Sequence, residues 1–168
     1  MGKVSNIDNS IEYFQYSGYF DWPKLYKLIL GWASTEQFKI FETLYKDKTG
    51  KGITEREFSW YFDRKVDLMN KYVLEVTLQM WDCTKVKITK NGKEVSCERG
   101  RLKIGISAKI DSDFQELFDK NAFYRAMYPL YAKLTGVKQA FTHEDDLYNL
   151  RYELLNQIKT FLDTETTD

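Results

Sequence analysis

Period-two alternation of apolar and polar residues dominates the first two thirds of the chain, is interrupted once, and gives way to helical spacing in the last third. Period two places successive side chains on opposite faces of a strand, and spacings of three and four place them on one face of a helix. Residues 10–20 (SIEYFQYSGYF) read as an aromatic-rich strand. The interruption follows. Asp21 can cap a helix whose first turn holds Pro23, where a missing N–H costs nothing. Trp22, Leu25, Tyr26, Ile29 and Trp32 form its apolar face, so a helix is expected over 22–33.

Strand patterns then resume. Residues 37–46 put Phe38, Ile40 and Leu44 on one face and Phe41 and Tyr45 on the other. A Gly-rich polar turn is expected from Asp47 to Gly52. Residues 53–66 set Phe58, Trp60 and Phe62 against Glu57, Ser59 and Tyr61. Residues 71–81 line up Tyr72, Leu74, Val76, Leu78 and Met80. Residues 84–98 read as a hairpin about Asn91-Gly92, the dipeptide that suits a type I′ turn. That turn sets Ile88 opposite Val95 and Val86 opposite Cys97. Residues 100–110 turn Leu102, Ile104, Ile106, Ala108 and Ile110 inward, and Lys103, Ser107 and Lys109 outward.

Helix signals close the chain. Ser112 with Gln115, or Asp113 with Glu116, makes a capping box. Phe114, Leu117 and Phe118 begin an apolar face that resumes at Phe123, Met127, Leu130 and Leu134. Pro129 is expected to kink or restart this segment and Gly136 to end it. Thr142 then caps a last helix carrying Leu147, Leu150, Leu154, Ile158 and Phe161. Strands and helices segregate along the chain, which predicts an α+β fold. Its expected form is an antiparallel β-meander of about six to seven strands, with one N-terminal helix and C-terminal helices packed on one face. Residues 10–163 are expected to form one domain, with 1–9 a flexible N-terminus and 164–168 a flexible tail.

Composition adds limits. A chain of 168 residues with 12 Tyr, 11 Phe and 4 Trp has the apolar content to fold around its own core. Its 25 basic and 25 acidic residues cancel, so no global field draws it to nucleic acid or an anionic membrane. The charges are unevenly placed. Residues 85–103 hold seven cations against two carboxylates, and residues 143–168 hold seven carboxylates against two cations. Candidate interaction residues are therefore Lys85, Lys87, Lys93, Arg99, Arg101 and Lys103 on the basic side and Glu144, Asp145, Asp146 and Glu153 on the acidic side. The competing reading is a solvated sheet face. A nucleic-acid site wants aromatic rings among its cations, and the window from Lys85 to Lys103 contains none. Nucleic acid is accordingly not the expected partner. The first ten residues lack the apolar core of a secretory leader, and no apolar run nears the ~20 residues of a membrane helix. A cytoplasmic setting with reduced thiols is expected.

Candidate chemistry is sparse. Asp47-Lys48-Thr49-Gly50 matches the start of the phosphorylation motif of P-type ion pumps, Asp-Lys-Thr-Gly-Thr, and departs from it at Lys51. A Gly-rich turn accounts for it better. The same loop lacks the earlier glycine and Lys-Ser/Thr pair of a phosphate-binding loop. His143 is the single histidine, and Cys83 and Cys97 are the two cysteines. They fall short of a four-ligand zinc set and carry no local signature of a Cys–His nucleophile. Adjacent Asp145 and Asp146 favour a helix N-terminus rather than a paired acid–base site. No catalytic, cofactor or metal set is expected.

Residues 20–32 (FDWPKLYKLILGW) and 70–114 (NKYVLEVTLQMWDCTKVKITKNGKEVSCERGRLKIGISAKIDSDF) together resemble a group of small uncharacterised archaeal proteins. Those proteins pair a short aromatic helix with a Lys-rich β-meander. The resemblance implies an archaeal cytoplasmic setting. It assigns no activity and no site residue. The element order also resembles the helix-grip fold, in which a curved sheet wraps a helix around an apolar cavity. The expected function is that of a non-enzymatic interaction or structural protein, self-assembling through a basic hairpin and an acidic C-terminal helix. The alternative is a binder of a small apolar ligand in a cavity bounded by Phe58, Trp60, Leu74, Leu78 and Phe114.

Overall fold

A computed structural model describes residues 3–6, 11–67, 70–90, 92–112 and 122–166. Six strands and two helices follow one another as β1 (Lys3–Asn6), β2 (Glu12–Phe20), α1 (Trp22–Thr35), β3 (Lys39–Gly50), β4 (Ile53–Lys65), β5 (Asn70–Lys90), β6 (Lys93–Ser112) and α2 (Ala122–Thr166). The class is α+β, and every strand pairing is antiparallel. The sheet is five strands wide in the order β1-β6-β5-β4-β3. β2 lies on the same edge of β6 as β1: β1 pairs with Lys109–Ser112 and β2 with Glu98–Ile106. The short β1 falls in the stretch expected to be loose, where the long β6 offers it an unpaired edge.

Strand count and helix arrangement depart from expectation. The four strands expected over 71–110 are two, of 21 and 20 residues. The hairpin between them keeps the expected register, with Lys90 opposite Lys93, Ile88 opposite Val95 and Val86 opposite Cys97; Asn91 of its turn lies outside the described residues. What looked like a strand end at Asp82-Cys83 is a bulge, where the register shifts between Trp81 and Thr84 and Asp82 takes φ 55°. Gly100 stands across from it. A Cβ there would lie 2.7 Å from Cys83 Sγ and 2.9 Å from the Trp81 carbonyl oxygen. The extra residue on β5 thus needs a residue without a side chain on β6.

The polar turn expected from Asp47 to Gly52 is also shorter. Asp47 to Gly50 belong to β3, and the turn is Lys51-Gly52, both at positive φ (53° and 79°). Two positive-φ residues match the twist of the flanking strands. A second bulge in β3 shifts the register between Glu42 and Leu44. It moves Tyr45 onto the face expected for Leu44, with its ring 4.9 Å from Phe58.

Asp21 caps α1 as expected, its Oδ1 accepting from Lys24 N at 3.1 Å. The expected C-terminal helices are a single helix of 45 residues that runs through Pro129, Gly136 and Thr142. A propagating helix adds one hydrogen bond per residue. An interior glycine costs it only about 1 kcal/mol, and a proline removes one bond. The capping boxes proposed at Ser112 to Glu116 and the apolar residues Phe114, Leu117 and Phe118 involve 113–121, outside the described residues.

Both helices cover the same face of the sheet. Leu25, Ile29 and Trp32 of α1 join Leu147, Leu150, Leu154, Ile158 and Leu162 of α2 in one core with Trp60, Phe62, Leu74, Leu78, Leu102, Ile104 and Ile106. Each such side chain contributes roughly 1.5–3 kcal/mol on burial. The opposite face carries the alternate residues of the same strands. There Arg99, Arg101, Tyr13 and Tyr19 are exposed.

Candidate functional site

Strand register assembles a patterned surface on that open face. β6 alternates Leu102 and Ile104 inward with Arg101 and Lys103 outward, so its cations recur every second residue in a single column. Arg99, Arg101 and Lys103 lie opposite Tyr19, Ser17 and Gln15 of β2. On the other side they lie opposite Thr84, Trp81 and Gln79 of β5. The next row sets Tyr13 against Gly105 and Thr77. Lys103 Nζ sits 4.0 Å from the Tyr13 ring centroid, and the Arg99 guanidinium 5.8 Å from that of Tyr19. Arg101 is differently engaged, because its Nε donates to Asp82 Oδ2 at 2.9 Å. The bulge is what turns Asp82 toward it.

Two adjoining clefts open along this column. One, of about 410 Å³, is lined by Gln15, Ser17, Trp81 and Arg101; the other, of about 420 Å³, by Tyr19, Thr84, Arg99 and Arg101. Gly18 and Gly100 face each other directly across β2 and β6.

Beyond this patch β5 and β6 outrun their neighbours. The pairing of β4 with β5 ends at Thr54–Cys83, and that of β2 with β6 ends at Phe20–Glu98. The ribbon of residues 84–90 and 93–97 has no flanking strand among the described residues. Its base is clamped by Arg56, whose Nη1 donates to both Glu98 oxygens at 2.9 and 2.8 Å while Nε donates to Asp47 Oδ2 at 3.1 Å. Lys85, Lys87 and Lys93 all lie on the ribbon. Lys87 reaches Glu94 at 3.2 Å, an exposed pair contributing at most about 1 kcal/mol. The basic residues singled out from the sequence therefore divide between two places, three on the ribbon and three on the sheet face.

The acidic residues divide as well. Glu144, Asp145 and Asp146 sit where α2 meets the start of β5, and Asp146 helps line a cleft with Tyr72 and Arg64. Glu153 is tied into the packing, accepting from Trp32 Nε1 at 3.3 Å and Gln157 Nε2 at 3.2 Å. Among the described residues no cation pairs with Glu144 or Asp145. From Tyr72 to Lys90 is roughly 60 Å of strand, so the acidic cluster and the basic ribbon mark opposite ends of the sheet.

The candidate chemical residues stay apart. His143 Nδ1 is hydrogen-bonded to Tyr72 Oη at 2.8 Å, and its Nε2 lies 3.2 Å from Asp67 Oδ2, in ion-pair range but without hydrogen-bond geometry. Cys83 lies eleven residues further along β5, about 35 Å away, so no Cys83–His143 pair forms. Burial, then the nearby Glu98 carboxylate, pushes the Cys83 thiol up to about 11, the wrong direction for a nucleophile. Asp47, the candidate phosphate acceptor, is engaged by Arg56 in an antiparallel edge strand. No group of three or more His, Cys, Asp and Glu gathers at metal-binding range among the described residues.

Tyr13, Tyr19 and Trp81 escaped the sequence reading because they lie outside the 85–103 window. Their outward placement follows from the same alternation that buries Phe20 and Met80, but only the β2–β6 and β5–β6 pairings put them beside cations. Comparison with family models, curated proteins and solved structures finds no match. No helix among the described residues is long and apolar enough to cross a membrane.

Proposed function

We propose that the protein is a non-enzymatic interaction protein that assembles head to tail, the basic ribbon of one copy meeting the acidic end of α2 in the next. The observation that carries this reading is the ribbon itself. A two-stranded hairpin is marginal in water on its own, and this one extends past both flanking strands with Lys85, Lys87 and Lys93 on it. Val86, Ile88 and Val95 share one of its faces and are half-buried in a single copy. The complementary cluster, Glu144 and Asp145, lies at the other end of the sheet and cannot reach the ribbon of its own copy. A contact between unlike surfaces propagates into a ring or filament rather than closing a two-fold dimer. Charge steers the encounter, while the apolar ribbon face and the exposed Tyr148 beside the acidic cluster supply the area. Sedimentation velocity at low and high salt tests the reading. Association at low salt that is lost at high salt is expected, and a monomer at high concentration in low salt contradicts it.

A second reading, a binder of a small apolar ligand, draws on the topology. β2 returns to pair with β6, the last strand, and α2 then crosses the sheet, the connectivity of a helix-grip fold. Against it, two rings expected to bound a cavity pack on one another, Phe58 standing 5.3 Å from Trp60, and Trp22 of α1 fills in against Phe58 at 4.6 Å. Phe114 lies outside the described residues. Native mass spectrometry of protein purified from cells separates the readings, since a retained apolar molecule of defined mass supports the second.

A further inference from the structure

The open face of β2, β6 and β5 has a different character from the ribbon, and we infer that it binds single-stranded nucleic acid, with Arg99 and Lys103 on phosphates and Tyr13, Tyr19 and Trp81 against bases. The sequence argued against such a partner because the basic window holds no aromatic ring. The structure supplies the rings from two other strands. Tyr19 stands beside Arg99 and Tyr13 beside Lys103, and Trp81 lies opposite Arg101 in the row between them.

Three features favour this occupant. The first is chemical. A nucleic-acid single strand offers a regular row of anions and a flat π-face at every residue, and the surface offers a column of cations flanked by rings. Base–aromatic stacking tolerates any sequence because every base has a π-face. Tyr13 and Tyr19 are 54% and 38% exposed, so their rings are open to solvent. The second is spacing. Arg99, Arg101 and Lys103 recur every second residue, about 7 Å apart, close to the spacing of phosphates along a stretched strand. The rings of Tyr13 and Tyr19 are six residues apart along β2, about 20 Å, which leaves room for several nucleotides. The third is vacancy of charge. Arg101 is already held by Asp82, but no carboxylate pairs with Arg99 or Lys103 among the described residues.

The same features disfavour the competing partners. A duplex keeps its bases stacked on each other and offers these rings nothing to stack on. A membrane surface rewards apolar insertion, and this face carries Gln15, Ser17, Thr77 and Gln79 between its rings.

The test is fluorescence anisotropy with a labelled 15-nucleotide thymidylate strand, a duplex of equal length, and vesicles containing phosphatidylserine. Single-strand binding tighter than duplex binding is expected. Tyr13→Ala and Tyr19→Ala each weaken it by about fivefold or more, while Tyr13→Phe and Tyr19→Phe, which keep the stacking ring, retain it. Both tyrosines are exposed, so the alanine variants keep the fold, as circular dichroism will show. Arg99→Ala with Lys103→Ala flattens the salt dependence by about 1.4 in log–log slope, at roughly 0.7 per phosphate contact. The ring effects persist in a Lys85→Glu, Lys87→Glu background, which separates this surface from the assembly ribbon. Absence of single-strand binding at low salt overturns the inference. So does binding indifferent to the two tyrosines, or a preference for the duplex or the vesicles.

Discussion

Arg56 of β4 reaches across β5 to grip Glu98 of β6 with one nitrogen shared by both carboxylate oxygens, and neither side chain is more than 12% exposed. The pair stands where the ribbon leaves the sheet, at the last β2 pairing and beside Cys83, the last residue of β5 paired to β4. Burying two charges gains little over an apolar pair, but removing one partner strands the other.

Arg56→Met should therefore destabilise the protein by about 3–5 kcal/mol, because Glu98 is left buried and unpaired. The double change Arg56→Met with Glu98→Leu should recover most of that loss. Urea unfolding of the parent, both single variants and the double variant measures both effects. An Arg56→Met protein as stable as the parent would show that Glu98 finds water when Arg56 is gone.

The bulge makes a contrasting pair of glycine predictions. Gly100→Ala pushes a methyl into Cys83 Sγ and the Trp81 carbonyl, and overpacking of this kind costs about 1–3 kcal/mol. Gly31 lies inside α1, and a methyl added there would meet nothing within 4 Å, so Gly31→Ala should raise stability by about 0.5–1 kcal/mol. Thermal unfolding should shift in opposite directions for the two.

The pH dependence of stability follows from three side chains. Burial works against the Asp47 carboxylate, but the hydrogen bond and charge of Arg56 outweigh it and hold the group below its ordinary 3.8. A depressed carboxylate stabilises the fold above its unfolded value, and that contribution is lost as pH falls through the folded one. The acid limb should begin below about pH 4. Cys83 is raised from 9.0 to about 11 by burial and Glu98, and Tyr72 from 10.0 to about 12 by burial and Asp146. Their contributions are complete below the unfolded values and lost as pH climbs through the folded ones, so the alkaline limb should open near pH 9 and continue to about 12. Urea midpoints across pH trace both limbs. Thiolate absorbance in a Cys97→Ser protein isolates Cys83, and a titration near 9 in the folded state would contradict its burial.

Much of the fold is legible in local pattern. Asn91-Gly92 dictates the hairpin register, Asp21 marks the start of α1, and the alternation from Leu102 to Ile110 identifies the buried face of β6. What stays hidden depends on residues far apart in the chain. The bulge at Asp82 is permitted by Gly100 on another strand, and a local reading sees only a strand end. Tyr13 and Tyr19 acquire their cations through pairing with residues about eighty or more positions away. Pro129, Gly136 and Thr142 look like punctuation, yet α2 runs through all three. The charge segregation was visible, but its division between ribbon and sheet face was not, because that depends on where β2 and β4 stop pairing.

Charge-swap mixing tests the head-to-tail assembly most directly. One protein carries Lys85→Glu and Lys87→Glu on the ribbon, and the other carries Glu144→Lys and Asp145→Lys on α2. Each alone brings like charges together at every junction and should sediment as a monomer at low salt. Mixed in equal amounts, the untouched ribbon of one meets the untouched acidic end of the other, and the reversed pair also match. The mixture should therefore recover the association of the parent protein and lose it again at high salt. A mixture that stays monomeric while the parent associates, or variants that associate as well alone as the parent does, would contradict the account.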